Sequence, residues 1–223
     1  MEYADGGDLL QKINAAKNGK RRIEEPIAWS LFIQMVRGLQ ALHDCKIVHR
    51  DIKCANMFLT KSGVLKLGDL NVSKVAKRGM LQTQTGTPYY ASPEVWQDRP
   101  YDYKSDIWSL GCVLYEMCSL NPPFRAADMQ GLFKRVCSGQ VPSLSSPYSK
   151  DMNYMVKLML QQSPGLRPNC AEILAKQQLV RNHPQNLEMT QEDEEGFNLL
   201  GTIRVPRNLG QITDRLPGSQ YDS

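Results

Sequence analysis

Residues 49 to 56 read His-Arg-Asp-Ile-Lys-Cys-Ala-Asn, which places the carboxylate of Asp51, the ammonium of Lys53 and the carboxamide of Asn56 on one short stretch. That set suits phosphoryl transfer, which asks for a positioned nucleophile and neutralised phosphate charge rather than covalent help. In such chemistry Asp51 accepts the proton of the attacking hydroxyl, Lys53 sits beside the transferred phosphate and Asn56 offers an oxygen to Mg2+. Asp69 supplies the main metal carboxylate. An isolated His-Arg-Asp tripeptide is equally at home as a surface turn with a salt bridge; the spacing to Lys53, Asn56 and Asp69 favours chemistry.

Several elements must position these groups. After a Gly-Gly break, Asp8 reads as the N-cap of a short helix. From Pro26, the apolar residues Trp29, Phe32, Met35, Val36, Leu39 and Leu42 recur at intervals of three and four, which predicts an amphipathic helix ending near His43. Met57 to Leu59 and Val64 to Leu67 are short β-prone runs around a Lys-Ser-Gly turn, a hairpin directly after the reactive stretch. Lys104 to Ser119 is apolar on nearly all sides and predicts a buried central helix. Further helical patterns cover roughly 127–137, 149–161 and 169–179. The polar, Thr- and Pro-rich stretch from Asn71 to Arg99 shows no sustained period, and loops of that length usually carry function or are disordered.

Composition narrows the class. The chain has 223 residues, a formal net charge of +4 and 41% hydrophobic residues, which suits one domain with a tail and gives no charge argument for nucleic acid. The six cysteines include no C-x-x-C pair, so neither a zinc site nor a disulfide framework is expected. No run of 18 apolar residues occurs, and the reading is of an intracellular, cytoplasmic chain with no membrane partner. The basic run Lys17 to Arg22 reads as a solvated loop rather than a nucleic-acid site. After His183 the acidic run QEDEE and the core-poor remainder read as a flexible tail over 184–223, following a domain over 1–183. Within it, residues 197–218 mix apolar, basic and Pro residues in a way that suits extended docking on another surface.

At this point the sequence resembles the protein kinase family, whose catalytic loop reads H-R-D-L-K-x-x-N and whose metal motif is D-F-G. Lys53 and the Gly86 to Tyr90 segment resemble its serine/threonine branch, and MEYADGGDL, GTPYYASPE and YDYKSDIWSLGCVLYEM are most similar to the NIMA-related kinases. The fold implied is α+β, mainly α: the large C-terminal lobe of a kinase with a small β-hairpin and a tail. The resemblance implies that Met1, Glu2, Ala4, Asp8 and Phe58 border the ATP pocket. It makes Glu94 of Ser92-Pro93-Glu94 the ion-pair partner of Arg167, makes Asp106 a brace for the catalytic loop through backbone N–H groups, and gives Leu70 an apolar slot beside His49. Thr87 would bridge Asp51 and Lys53. Thr83, with Thr85 as the second choice, would carry an activating phosphate facing Arg50. The implied function is transfer of the ATP γ-phosphate to Ser or Thr of protein substrates, with placement at centrosome, basal body or cilium as a family expectation.

Two departures qualify this. Asp69-Leu70-Asn71 stands where the family has D-F-G; the metal carboxylate is kept, and Asn enters positive φ more readily than most residues. No glycine-rich loop or strand lysine precedes Met1, so the 223 residues alone are expected to be inactive. A non-catalytic scaffold remains the alternative from a different class; a scaffold has no physical need for Asp51, Lys53, Asn56 and Asp69 together.

Overall fold

A computed structural model describes residues 4–68, 88–145 and 147–176. The chain separates into two units, Met1–Asn186 and Leu187–Ser223. The second unit, the segment 197–218 and the expected boundary after residue 183 lie outside the described residues.

The first helix, α1 (Leu9–Asn18), starts where Asp8 accepts the Gln11 N–H at 2.8 Å, so a short carboxylate satisfies one of the donors that a helix start leaves unpaired. Its buried residues, Leu9 and Ile13, stand four apart on one face. Helix α2 (Glu25–Asp44) begins with Pro at its first turn, where the missing N–H costs nothing, and buries Trp29, Phe32, Met35, Val36, Leu39 and Leu42.

Strands β1 (Met57–Leu59) and β2 (Leu65–Leu67) pair antiparallel with Met57 opposite Leu67 and Leu59 opposite Leu65. The hairpin lies against α2, and Asp8 forms an isolated bridge with Phe58, so the start of the chain is stitched to β1.

Helix α4 (Tyr103–Ser119) is the central element. A capping box between Asp102 and Ser105 opens it, and every residue from Ser105 to Cys118 is buried. It packs on α2 and on α6 (Lys150–Met159). Gly111 is what permits the approach to α6, because a Cβ there would meet the side chains of Leu160 and Met159 at 2.9 Å. Helices α5 (Met129–Ser138) and α7 (Cys170–Ala175) follow, with α7 against α2.

The observed bounds fall within a few residues of those read from the sequence, with one addition. Helix α3 (Pro93–Trp96) lies inside the stretch that shows no periodicity. One turn of helix is too short to show a repeat, and tertiary bonds from Glu94 hold it. Among the described residues the architecture is mostly helical with one small antiparallel sheet, the α+β, mainly-α arrangement expected from the sequence. No helix among the described residues is long and apolar enough to cross a membrane.

Candidate active site

The reactive stretch leaves α2 and bends sharply at Arg50, whose φ of 68° lies in the left-handed region. A non-glycine residue there costs about 1–2 kcal/mol, so something must hold it. Asp106, in the first turn of α4 and fully buried, does so. Its Oδ2 accepts the backbone N–H of His49 at 2.9 Å and the His43 Nε2 at 2.9 Å. Its Oδ1 accepts the backbone N–H of Arg50 at 3.0 Å and the Tyr101 hydroxyl at 2.8 Å. Four donors and the positive end of α4 stabilise a carboxylate that burial alone would disfavour.

Past this bend the reactive groups meet. Lys53 Nζ donates to Asp51 Oδ2 at 2.9 Å. Asn56 Nδ2 donates to the same oxygen at 3.1 Å and to the Asp51 carbonyl at 2.8 Å. With its nitrogen committed to Asp51, the oxygen of the Asn56 amide is the atom able to serve a hard cation. The 3-10 turn Cys54–Asn56 leads directly into β1, and Gly68 N donates to the Asn56 carbonyl at 2.9 Å. The chain just before Asp69 is thereby held beside Asn56.

Asp69 itself lies outside the described residues, as do Met1, Glu2, Leu70, Thr83, Thr85 and Thr87. Of the other pocket candidates, Ala4 and Asp8 are half-buried and Phe58 is 36% exposed. The Phe58 ring covers Gly68 so closely that a Cβ at Gly68 would lie 2.4 Å from Cε2. Any side chain at Gly68 would have to displace that ring.

Glu94 and Arg167 form a bidentate pair, Nη1 to Oε1 at 2.6 Å and Nη2 to Oε2 at 2.8 Å. The other Arg167 donors reach the carbonyls of Gln161, Lys104 and Gln162, so all five N–H groups are used, and the guanidinium lies 5.0 Å from the Trp108 ring centre. Ser105 Oγ adds a bond to Glu94 Oε1 at 2.7 Å.

Sequence reading passed over several members of this network. Tyr90 donates its hydroxyl to Glu116 Oε2 at 2.6 Å, and the buried Cys54 thiol lies 3.5 Å from the same oxygen. Burial and the Glu116 charge push the Cys54 thiol up, keeping it a protonated donor. A glutamate inside a helix that is apolar all round was the available signal, since a buried carboxylate requires donors. His43 and Tyr101 gave no such signal. A cavity of about 680 Å3 also opens elsewhere, lined by Gly139, Lys157, Gln162 and Leu166 among others; no residue of the reactive loop touches it, so it has no part in this chemistry.

Two buried groups set an acid limit. Burial lowers the His49 pKa below its usual 6.5, outweighing the nearby Asp106 and Asp51 charges. Burial would raise Glu94, but hydrogen bonds and charge from Arg167 and the bond from Ser105 prevail and hold it below 4.5. Both folded values lie below the unfolded ones, so the unfolded chain takes up the proton first in each case and stability falls as pH falls. The urea midpoint is expected to decline below pH 6.5 through His49 and more steeply below 4.5 through Glu94. A midpoint that rises on acidification through this range would contradict both assignments.

The sequence profile described as the protein kinase domain matches residues 1–179. The chain belongs to the protein kinase family. It is 40% identical to serine/threonine-protein kinase Nek3 of Mus musculus over 94% of its own length and 41% of that protein's. It is 41% identical to serine/threonine-protein kinase Nek5 of Homo sapiens over 86% and 28%, and 42% identical to Nek1 of Mus musculus over 79% and 15%. Within the family its likeness is therefore to the NIMA-related serine/threonine kinases. The chain spans less than half the length of each of these relatives.

Proposed function

We propose that the complete protein transfers the γ-phosphate of ATP to Ser and Thr hydroxyls of protein substrates. The observation that carries this reading is the bonded set of Asp51, Lys53 and Asn56 on a loop that Asp106 holds in a strained bend. Asp51 receives the hydroxyl proton and aims the oxygen; Lys53 neutralises the phosphate it faces; Asn56 fixes Asp51 from behind. The oxygen donors of Asn56 and Asp69 suit Mg2+, which when bound supplies charge neutralisation at the phosphate oxygens. Ala4, Asp8, Phe58 and, outside the described residues, Met1 and Glu2 would border the adenosine. The domain is taken as 1–183 with a tail over 184–223. Cytoplasmic placement, with centrosome or cilium as the family suggests, completes the reading. Offering the complete protein matched Ser, Thr and Tyr peptides tests it: phosphate should appear on Ser and Thr, and transfer confined to Tyr would defeat it.

Two predictions refine this reading. Gly68→Ala must push the Phe58 ring aside, because the added Cβ overlaps it. ATP affinity should drop by about five- to tenfold, the loss of roughly 1 kcal/mol of ring contact, while Mg2+ dependence stays the same. Equal ATP affinity in wild type and variant, measured by titration, would remove Phe58 from the pocket. For regulation, a phosphate on Thr83 facing Arg50 would order the loop; Thr83→Ala should lower the activity of the activated protein by about tenfold or more. Full activity in that variant, with loss in Thr85→Ala, would transfer the role to Thr85.

A further inference from the structure

The basic run at the end of α1 has no part in phosphate transfer, yet one of its members is held in a specific way. Lys17 Nζ donates to Asn121 Oδ1 at 2.9 Å, and Arg125 Nη1 donates to the same oxygen at 2.9 Å. Two full positive charges thus share one neutral amide oxygen. Among the described residues neither makes an ion pair with a carboxylate.

The amide is fixed from its other side. Asn121 Nδ2 donates to the Ser119 carbonyl at 3.2 Å, Asn121 N donates to Ser119 Oγ at 3.3 Å, and Ser119 Oγ donates to the Asn121 carbonyl at 2.6 Å. Leu120, at φ 59°, turns the chain so that this can happen. The negative end of α1 accounts for a lysine in its last turn. It does not account for Arg125, which comes from the segment after α4 and meets Lys17 across 108 positions of sequence. Like charges brought together repel, and an anion placed between them would bind to both.

The position of the pair indicates which anion. Helix α1 packs on the turn Cys54–Asn56 and on β1. In α4, Glu116 touches Cys54 and Tyr90, and Asn121 follows five residues later, just past the turn that ends the helix. Cys54 lies three residues from Asp51, so the pair sits on or just after elements that contact the reactive loop, and an extended peptide, advancing about 3.3 Å per residue, can carry a side chain from an acceptor hydroxyl toward it. Asp128 follows Arg125 closely as the cap of α5 and interrupts the positive surface on that side, which suits one anionic side chain better than the run of phosphate contacts a nucleic acid needs.

Resting on the kinase reading above, we propose that Lys17 and Arg125, spaced by Asn121, bind an anionic side chain of the protein substrate, either a carboxylate or a phosphorylated residue, near the acceptor Ser or Thr.

The test uses the complete protein and peptides in which Ala, Glu or phosphoserine is walked through each position flanking the acceptor. At one position an anionic residue should raise kcat/KM by about tenfold, through KM, with phosphoserine stronger than Glu if the physiological anion is a phosphate. In the double variant Lys17→Ala with Arg125→Ala that ratio should fall to about one. Lys17→Glu with Arg125→Glu should reverse the preference toward Lys at the same position, a result that misfolding cannot produce. An unchanged ratio in both double variants, or competition by a mixed-sequence oligonucleotide without any dependence on peptide charge, would overturn the proposal. Fluorescence anisotropy with the same peptides separates the two readings: charge-dependent binding without turnover keeps the anion site and removes the kinase reading, and turnover without charge dependence does the reverse.

Discussion

Asp51→Asn in the complete protein is expected to lower the rate of phosphate transfer by about 10²- to 10⁴-fold, the range that a positioned general base supplies. The substitution is nearly isosteric, and its single oxygen can still accept from both Lys53 and Asn56, which share Asp51 Oδ2 in the wild type. The loop should therefore keep its shape. The melting temperature should hold, and ATP should bind as before, because in the proposed mechanism the Asp51 carboxylate serves the hydroxyl rather than the nucleotide. Initial rates with a Ser peptide, set beside ATP titration and thermal melts, check this. A rate equal to wild type would mean that Asp51 is not the base; a rate lost together with ATP binding would mean that it acts on the nucleotide.

Arg167→Leu is expected to have the largest effect on stability. Arg167 is 1% exposed and Glu94 3% exposed, so removing the guanidinium leaves a buried carboxylate with only the Ser105 hydroxyl and a backbone N–H to hold its charge. Breaking one half of a buried pair costs about 3–5 kcal/mol. In a domain of this size the melting temperature should fall by roughly 10 °C. The double variant Arg167→Leu with Glu94→Leu removes the stranded charge and should recover part of that loss. A double variant less stable than either single one would show that the carbonyls of Gln161, Lys104 and Gln162, rather than Glu94, are what Arg167 chiefly serves.

The parts legible in the sequence are those whose signals are local. Asp51, Lys53 and Asn56 fall within six residues, and α2 and α4 announce themselves by period and by apolar content. Asp8 could be read as a cap because capping needs only a short carboxylate before a periodic run. What could not be read is set by pairing across the chain. The His43 bond to Asp106 spans 63 positions and the Cys54 contact with Glu116 spans 62, and no local pattern in either partner marks the other. Family resemblance supplied Glu94 with Arg167, 73 positions apart, where residue types alone would not have done so. The Lys17 to Asn121 contact, across 104 positions, was invisible for the same reason, and the basic run containing Lys17 reads from the sequence as a solvated loop.

The central claim is that a metal-assisted phosphoryl transfer runs on Asp51 and Asp69. Its most direct test is incorporation of γ-labelled phosphate into Ser and Thr peptides by the complete protein and by Asp69→Ala, each measured with and without Mg2+. Transfer by the wild type only with Mg2+, and none above background by Asp69→Ala under any condition, is the predicted result. Equal incorporation by the two proteins, or none by the wild type after activation, would contradict it.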